Sequence, residues 1–193
     1  MPAHPKVIII TGPSGGGKTT LAKYVLEKFP TIRRSVSATT RPPREGEIEG
    51  KDYYYLSNAD FESKLADKKF LEWEQVYEDI FYGSLISEVE RLQTSGYTVL
   101  FVLDVMGAIR VKDYYGIHAL SIFIKPPSQE ILEVRLRSRG TDSDAAIHKR
   151  MAKATWEMQY EPKFDAILIN DEINNSYRAL KFMIEGFLMM RDE

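Results

Sequence analysis

Four consecutive apolar residues, Val7 to Ile10, run without a polar break and predict a strand over residues 6–11 buried on both faces. The run stops at Gly12-Pro13-Ser14-Gly15-Gly16-Gly17, after which a helical spacing takes over for residues 18–28 and ends near Phe29-Pro30. A second unbroken apolar run, residues 98–103, predicts another buried parallel strand, and residues 119–124 and 165–169 add two more. Helical periodicity fills the intervals. It covers 106–113, a stretch from Pro126-Pro127-Ser128 through Arg137 closed by Gly140, another from about 141–143 to 160, and a last one over 173–190. Strands alternating with helices predict the α/β class, with a parallel sheet inside three layers.

Residues between about 37 and 84 break that rhythm. A tyrosine-rich strand over 52–56 precedes a helix from 58 or 59 to about 68, with Asn58 as N-cap and Phe61, Leu65 and Ala66 as its apolar stripe. Residues 70–77 alternate, with Phe70, Glu72, Glu74 and Val76 opposite Leu71, Trp73 and Gln75. Tyr82-Gly83-Ser84 reads as a turn into a helix over 84–95, where Leu85, Val89 and Leu92 share a face and Gly96 ends it. Short strands of antiparallel character mark an inserted subdomain. The expected division is a core of 1–35, 88–127 and 160–193, an insert of 36–87 and a helical hairpin of 128–159.

Composition narrows the class. With 26 basic and 28 acidic residues the formal charge of the 193-residue chain is −2, which gives no global attraction to nucleic acid. There are no cysteines, which excludes disulfides, thiolate metal sites and cysteine nucleophiles. No apolar run approaches the ~20 residues of a membrane span, and Met1 to Lys6 lacks a signal-peptide core, so the expectation is a cytoplasmic protein. His4, His118 and His148 show no ligand spacing and are expected to be structural or solvent-facing, while Met151 and Trp156 are expected to pack a helix.

The glycine-rich stretch brings in chemistry. Gly12 to Thr19 fits G-x-x-x-x-G-K-[ST] between a strand and a helix, the loop whose backbone N–H groups cradle phosphates. The helix after it adds the positive end of its dipole, Lys18 a mobile point charge for the outer phosphates, and Thr19 a hydroxyl for Mg²⁺. Asp104 follows a buried strand, at the sheet edge where ligands bind, and suits a water-bridged metal contact, orientation of an acceptor, or a helix N-cap. Arg41 and Arg44, three apart on a proline-stiffened segment near Ser37 and Tyr53, form either a trap for a second phosphate or a solvated basic loop. Glu72 between large apolar neighbours is either the exposed side of a strand or a double acceptor facing a pocket. Arg135 and Arg139 share a helix face and Arg150 comes from the next helix, which suits surface charge or a lid over a transferring phosphoryl group.

These pieces together resemble the guanylate kinases over nearly the whole chain. The resemblance is carried by Gly12 to Thr19, by Ser35-Val36-Ser37-Ala38-Thr39-Thr40-Arg41-Pro42-Pro43-Arg44-Glu45-Gly46-Glu47, and by Gly50-Lys51-Asp52-Tyr53. It continues through Phe70-Leu71-Glu72-Trp73, Tyr82-Gly83-Ser84, Pro126-Pro127-Ser128, Arg139-Gly140-Thr141 and Ile169-Asn170-Asp171. It implies a three-layer P-loop core, an inserted nucleoside-monophosphate-binding subdomain and a helical lid. It also implies Mg²⁺-dependent transfer of the ATP γ-phosphoryl group to GMP and dGMP. Partners would be these nucleotides alone, without nucleic acid or membrane, in a monomer or homodimer. ATP would meet Gly12, Pro13, Ser14, Gly15, Gly16, Gly17, Lys18, Thr19, Thr20, Arg135, Arg139 and Asn170, with Mg²⁺ on Thr19. GMP would meet Ser37, Arg41, Arg44, Tyr53, Glu72, Tyr82, Ser84 and Asp104. Lys18, Arg41, Arg139, Arg150 and Asp104 would carry the catalysis.

Two positions depart from that pattern. The family usually carries an acid two residues before the strand-end aspartate and a glutamine two after it, where this chain has Val102 and Met106. The expectation is that Asp104 is the only carboxylate there. Two rival readings use the same motifs: a P-loop kinase with another acceptor, against which Glu72 and Ser37 argue, and a non-catalytic binding module, against which Gly17-Lys18-Thr19 argues.

Overall fold

The computed structural model describes residues 5–77, 79–138 and 143–190. At its centre is β1 (Val7–Thr11), with its four apolar residues at 0% exposure. It is flanked in parallel by β7 (Thr98–Val102) and β8 (Ala119–Lys125), and β2 (Ile32–Arg34) and β9 (Ala166–Ile169) close the sheet in the order β2-β7-β1-β8-β9, every pairing parallel. Successive side chains of a strand point to opposite faces, so an unbroken apolar run needs cover on both. Val7 and Ile9 pack with α3 (Ile86–Thr94) and α4 (Val105–Tyr115) through Val89, Leu92, Val105 and Val111. Ile8 and Ile10 face α1 (Lys18–Lys28) and α7 (Ile173–Met189) through Leu21, Val25, Leu180 and Ile184. The result is the three-layer α/β arrangement expected from the sequence.

A second sheet, in the order β4-β3-β6-β5, is built from β3 (Ala38–Thr39), β4 (Tyr54–Tyr55), β5 (Phe70–Tyr77) and β6 (Ile80–Leu85). Its character is mixed, for β3 and β4 pair in parallel while β3–β6 and β5–β6 are antiparallel. The helix α2 (Asn58–Ala66) lays Phe61, 1% exposed, on Phe70 and Phe81 at ring distances of 4.3 and 5.4 Å. The hairpin α5 (Gln129–Arg137) and α6 (Asp144–Met158) encloses a small cluster of its own, Leu132, Leu136 and Ala154 with Met151 against it. Trp156 is 41% exposed and meets Tyr160 edge to face, so it is packed in part only.

The insert departs from expectation in several places. Tyr82-Gly83-Ser84 is not a turn but the middle of β6, and the helix begins at Ile86. Glycine there is required by crowding, because a Cβ on Gly83 would lie 2.7 Å from the Phe70 ring and 2.9 Å from the Glu72 carbonyl. The N-cap of α2 is Ser57, whose hydroxyl accepts from Asp60 N at 3.0 Å, rather than Asn58, and Ala66 is exposed. The short strand β2 was hidden by its arginines. No helix of the described residues is long and apolar enough to cross a membrane.

Phe61→Ala is expected to lower the free energy of unfolding by about 3 kcal/mol or more in urea titration, since it empties the one fully buried position between α2 and the small sheet. A loss under about 1 kcal/mol would remove Phe61 from the core of that layer.

Candidate active site

The loop that leaves β1 turns sharply over the end of β8. Gly12 adopts φ +129°, and a side chain there would run into the Ile124 carbonyl. Lys18 opens α1 and curls back, its ammonium donating to the carbonyls of Gly12 at 2.6 Å and Pro13 at 3.0 Å. Asn170, just past β9 and 5% exposed, donates its amide to the Gly16 carbonyl at 2.8 Å. The hairpin reaches the same place from outside. Arg135 donates to the Asn170 carbonyl at 2.9 Å, and Arg150 to the Ser14 hydroxyl at 3.1 Å. The other terminal nitrogen of Arg135, Nη1, is buried with no hydrogen-bond partner. Thr20 is exposed in the first turn of α1, and Arg139 lies outside the described residues.

Beside this loop opens a cleft of about 600 Å³, lined by Ser14, Lys18 and Thr19 of the loop and α1, by Arg150 of α6, and by Arg41, Arg44, Tyr53 and Tyr82 of the insert. Arg41 is held from several directions. Its Nε donates to the Tyr82 hydroxyl at 3.1 Å, Nη1 to the Pro42 carbonyl at 2.7 Å, and Nη2 to both Glu47 oxygens at 2.8 and 3.0 Å. Its flat face lies 5.4 Å from the Tyr53 ring centre. Glu47 also accepts from Arg44 N and the Tyr55 hydroxyl, both at 2.7 Å. Arg41 first, and the Arg44 amide after it, hold the Glu47 carboxyl down at about 2. Arg44 is exposed, its guanidinium at the cleft wall.

A smaller recess of about 110 Å³ adjoins the cleft, bounded by Ser37, Tyr53, Glu72, Tyr82 and Asp104. Glu72 is on the inner face of β5 at 5% exposure, whereas its neighbour Trp73 is 38% exposed, so the exposed-strand alternative is overturned. The pleat of β5 explains this: its inner residues face β6 and α4, and the Ser84 hydroxyl donates to Glu72 Oε1 at 2.7 Å. Burial pushes the Glu72 carboxyl up to about 7, against the lowering effect of the Ser84 bond and with a further push from Asp104. Ser84 itself is fully buried behind the carboxylate. Asp104 caps α4, its Oδ1 accepting from Gly107 N at 2.9 Å, and also borders both the cleft and the recess. The cap and the site positions are therefore compatible.

Several cleft residues escaped the sequence reading. Glu157, 4% exposed, and Lys153 reach the cleft from the same face of α6 as Arg150, with Lys153 Nζ 3.9 Å from the Glu157 carboxylate. Burial pushes the Glu157 carboxyl up, while Lys18 and Lys153 pull it back. The expectation that Asp104 stands alone is thus corrected: Val102 does line the cleft, but so do the carboxylates of Glu157, Glu47 and Asp52. The spacing of 150, 153 and 157 on one helix was the available signal. Arg34, at the end of β2, borders both cavities and makes no hydrogen bond or ion pair with the described residues. Nothing in its sequence surroundings distinguishes it from Arg33.

Comparison with known proteins agrees with this geometry. The family model described as guanylate kinase matches residues 4–186. The guanylate kinase of Bacteroides fragilis (strain YCH46) is 44% identical over 183 residues, covering 95% of this chain and 90% of its own. That of Synechocystis sp. is 42% identical over 179 residues, covering 93% of both. The crystal structure of guanylate kinase from Anaplasma phagocytophilum superposes with a TM-score of 0.76 at 28% identity, covering 97% of this chain and 88% of that one. The chain therefore belongs to the guanylate kinase family.

Proposed function

We propose that this protein transfers the γ-phosphoryl group of ATP to GMP, and to dGMP, giving ADP and the nucleoside diphosphate. The observation that carries the reading is one cleft lined by cations of three segments, Lys18 of α1, Arg150 of α6 and the insert's Arg41 and Arg44, beside a recess that holds a buried carboxylate. The backbone N–H groups of Gly15 to Thr20 and the Lys18 ammonium bind the ATP phosphates, with the lysine exchanging the Gly12 and Pro13 carbonyls for phosphate oxygens. Arg135, with its unpartnered Nη1, Arg139 and Arg150 add charge from the lid, and Asn170 holds the loop. The GMP phosphate takes the place of Glu47 on Arg41, with Arg44, Tyr53 and Tyr82 around it.

A GMP phosphate oxygen, already anionic, attacks the γ-phosphorus. The bond to the oxygen bridging from ADP breaks and its electron pair leaves with ADP, so no general base is needed. Catalysis is positioning and charge neutralisation. The hydroxyl of Thr19 and the carboxylate of Asp104 border the same cleft, a hard-oxygen set that suits Mg²⁺. When bound there with ATP, Mg²⁺ supplies charge neutralisation on the outer phosphates. Closure of the insert (36–87) and the lid (128–159) over the core (1–35, 88–127 and 160–193) excludes water.

Guanine presents an O6 acceptor and N1–H and N2–H donors along one edge. Ionised Glu72 accepts from both donors while Ser37 donates to O6. AMP offers a bare N1 acceptor and no N2 donor, which leaves the carboxylate without the two N–H donors that guanine brings. Measurement of ADP production with ATP and Mg²⁺ against GMP, dGMP, AMP, CMP and UMP tests the assignment. Turnover with AMP equal to that with GMP would overturn it.

Lys18→Ala is expected to lower kcat about 10²–10³-fold with GMP binding retained, as read by steady-state kinetics and calorimetry. Glu72→Gln should raise the KM for GMP far more than that for ATP. Because the Glu72 carboxyl titrates near 7 and guanine needs its ionised form, GMP affinity should rise with pH through that value. Between pH 6 and 8 the KM for GMP should fall about tenfold, a change that Glu72→Gln should abolish. A pH profile identical in the two proteins would remove Glu72 from base recognition.

A further inference from the structure

Glycine is a poor helix former, yet Gly107 stands buried in the first turn of α4. Its φ is not positive, so the backbone itself has no need of glycine. The reason lies across from it. A Cβ on Gly107 would fall 2.6 Å from Glu72 Oε2 and 3.3 Å from its carboxyl carbon, whereas ordinary close C···O contacts are about 3.3 Å. The other oxygen, Oε1, is held at 2.7 Å by Ser84. The carboxylate is therefore confined between a hydroxyl on β6 and the bare edge of α4.

We propose that Gly107 is a specificity-determining position, whose missing side chain allows the Glu72 carboxylate to sit in the wall of the recess and thereby selects the acceptor nucleotide. The proposal rests on the reading of Glu72 as the guanine acceptor. A methyl group at this position does not threaten the fold. It strikes the far end of a flexible side chain rather than backbone, the helix gains intrinsic propensity, and the displaced carboxylate leaves a site where burial opposes its charge. What it removes is the alignment of two acceptor oxygens with two N–H groups of the base. The phosphate loop and Lys18 lie away from this contact, so ATP is untouched.

The test compares Gly107→Ala, Glu72→Gln, their combination, and Gly107→Ala with Glu72→Asp, by KM for GMP and ATP and by thermal unfolding. Gly107→Ala should unfold at or above the parent temperature, raise the KM for GMP about tenfold or more, and leave the KM for ATP within about twofold. In the Glu72→Gln background the same change should add less than about twofold, since the two effects share one group. In the Glu72→Asp background, where the side chain is one methylene shorter, its cost should shrink. An unchanged GMP KM in Gly107→Ala alongside a raised one in Glu72→Gln would overturn the proposal and leave the guanine reading standing. An unchanged GMP KM in Glu72→Gln would overturn that reading itself. Penalties that multiply in the combined variant, or equal losses for GMP and ATP with lowered thermal stability, would give Gly107 a purely structural role and overturn the proposal.

Discussion

Cations do not gather around a cleft unaided. Two unit charges 4 Å apart at an effective dielectric constant near 20 repel by about 4 kcal/mol, and this cleft brings together Lys18, Arg41, Arg44, Arg150 and Lys153. The chain answers with acceptors of its own. Lys18 rests on two loop carbonyls, Arg41 on Glu47, Arg150 on Ser14 and Arg135 on the Asn170 carbonyl. Each of these cations thus has an oxygen partner within the fold, and on the proposed reading a nucleotide takes it over by exchange, phosphate oxygen for protein oxygen.

The recess poses the opposite problem. Burial lifts the Glu72 carboxyl from 4.5 to about 7, so its ionised form is less favoured here than in water. Such a group is held ready for donors that arrive with a ligand, and a single hydroxyl, Ser84, satisfies it only in part.

How much of this could be read in the sequence varied with the kind of signal. The phosphate loop and α1 are local, fixed by glycine placement and helical spacing, and α1 begins and ends where the spacing predicts. The buried runs of β1, β7 and β8 were legible because an unbroken apolar run admits only cover on both faces. The insert was harder. Tyr82-Gly83-Ser84 carries turn residues, but the glycine answers to the Phe70 ring packed on it from β5, which no local pattern announces. Glu72 was recognisable as a candidate, while its inward face was decided by the pairing of β5 with β6. Glu47, Glu157 and Arg34 matter through contacts or cavities made by distant segments, so charge at those positions looked like ordinary surface.

The tie between Asn170 and the Gly16 carbonyl spans 154 residues of chain. It joins the glycine-rich loop to a side chain made 154 residues after it. The strand between β1 and that side chain, β8, also arrives late, so the opening motif waits through most of translation without its neighbours. A nascent chain halted after β7 would carry every residue of the phosphate loop and still lack the hydrogen bond that holds it in shape. The glycine-rich loop, made early, is therefore held in its final shape only after β8 and Asn170 have followed it.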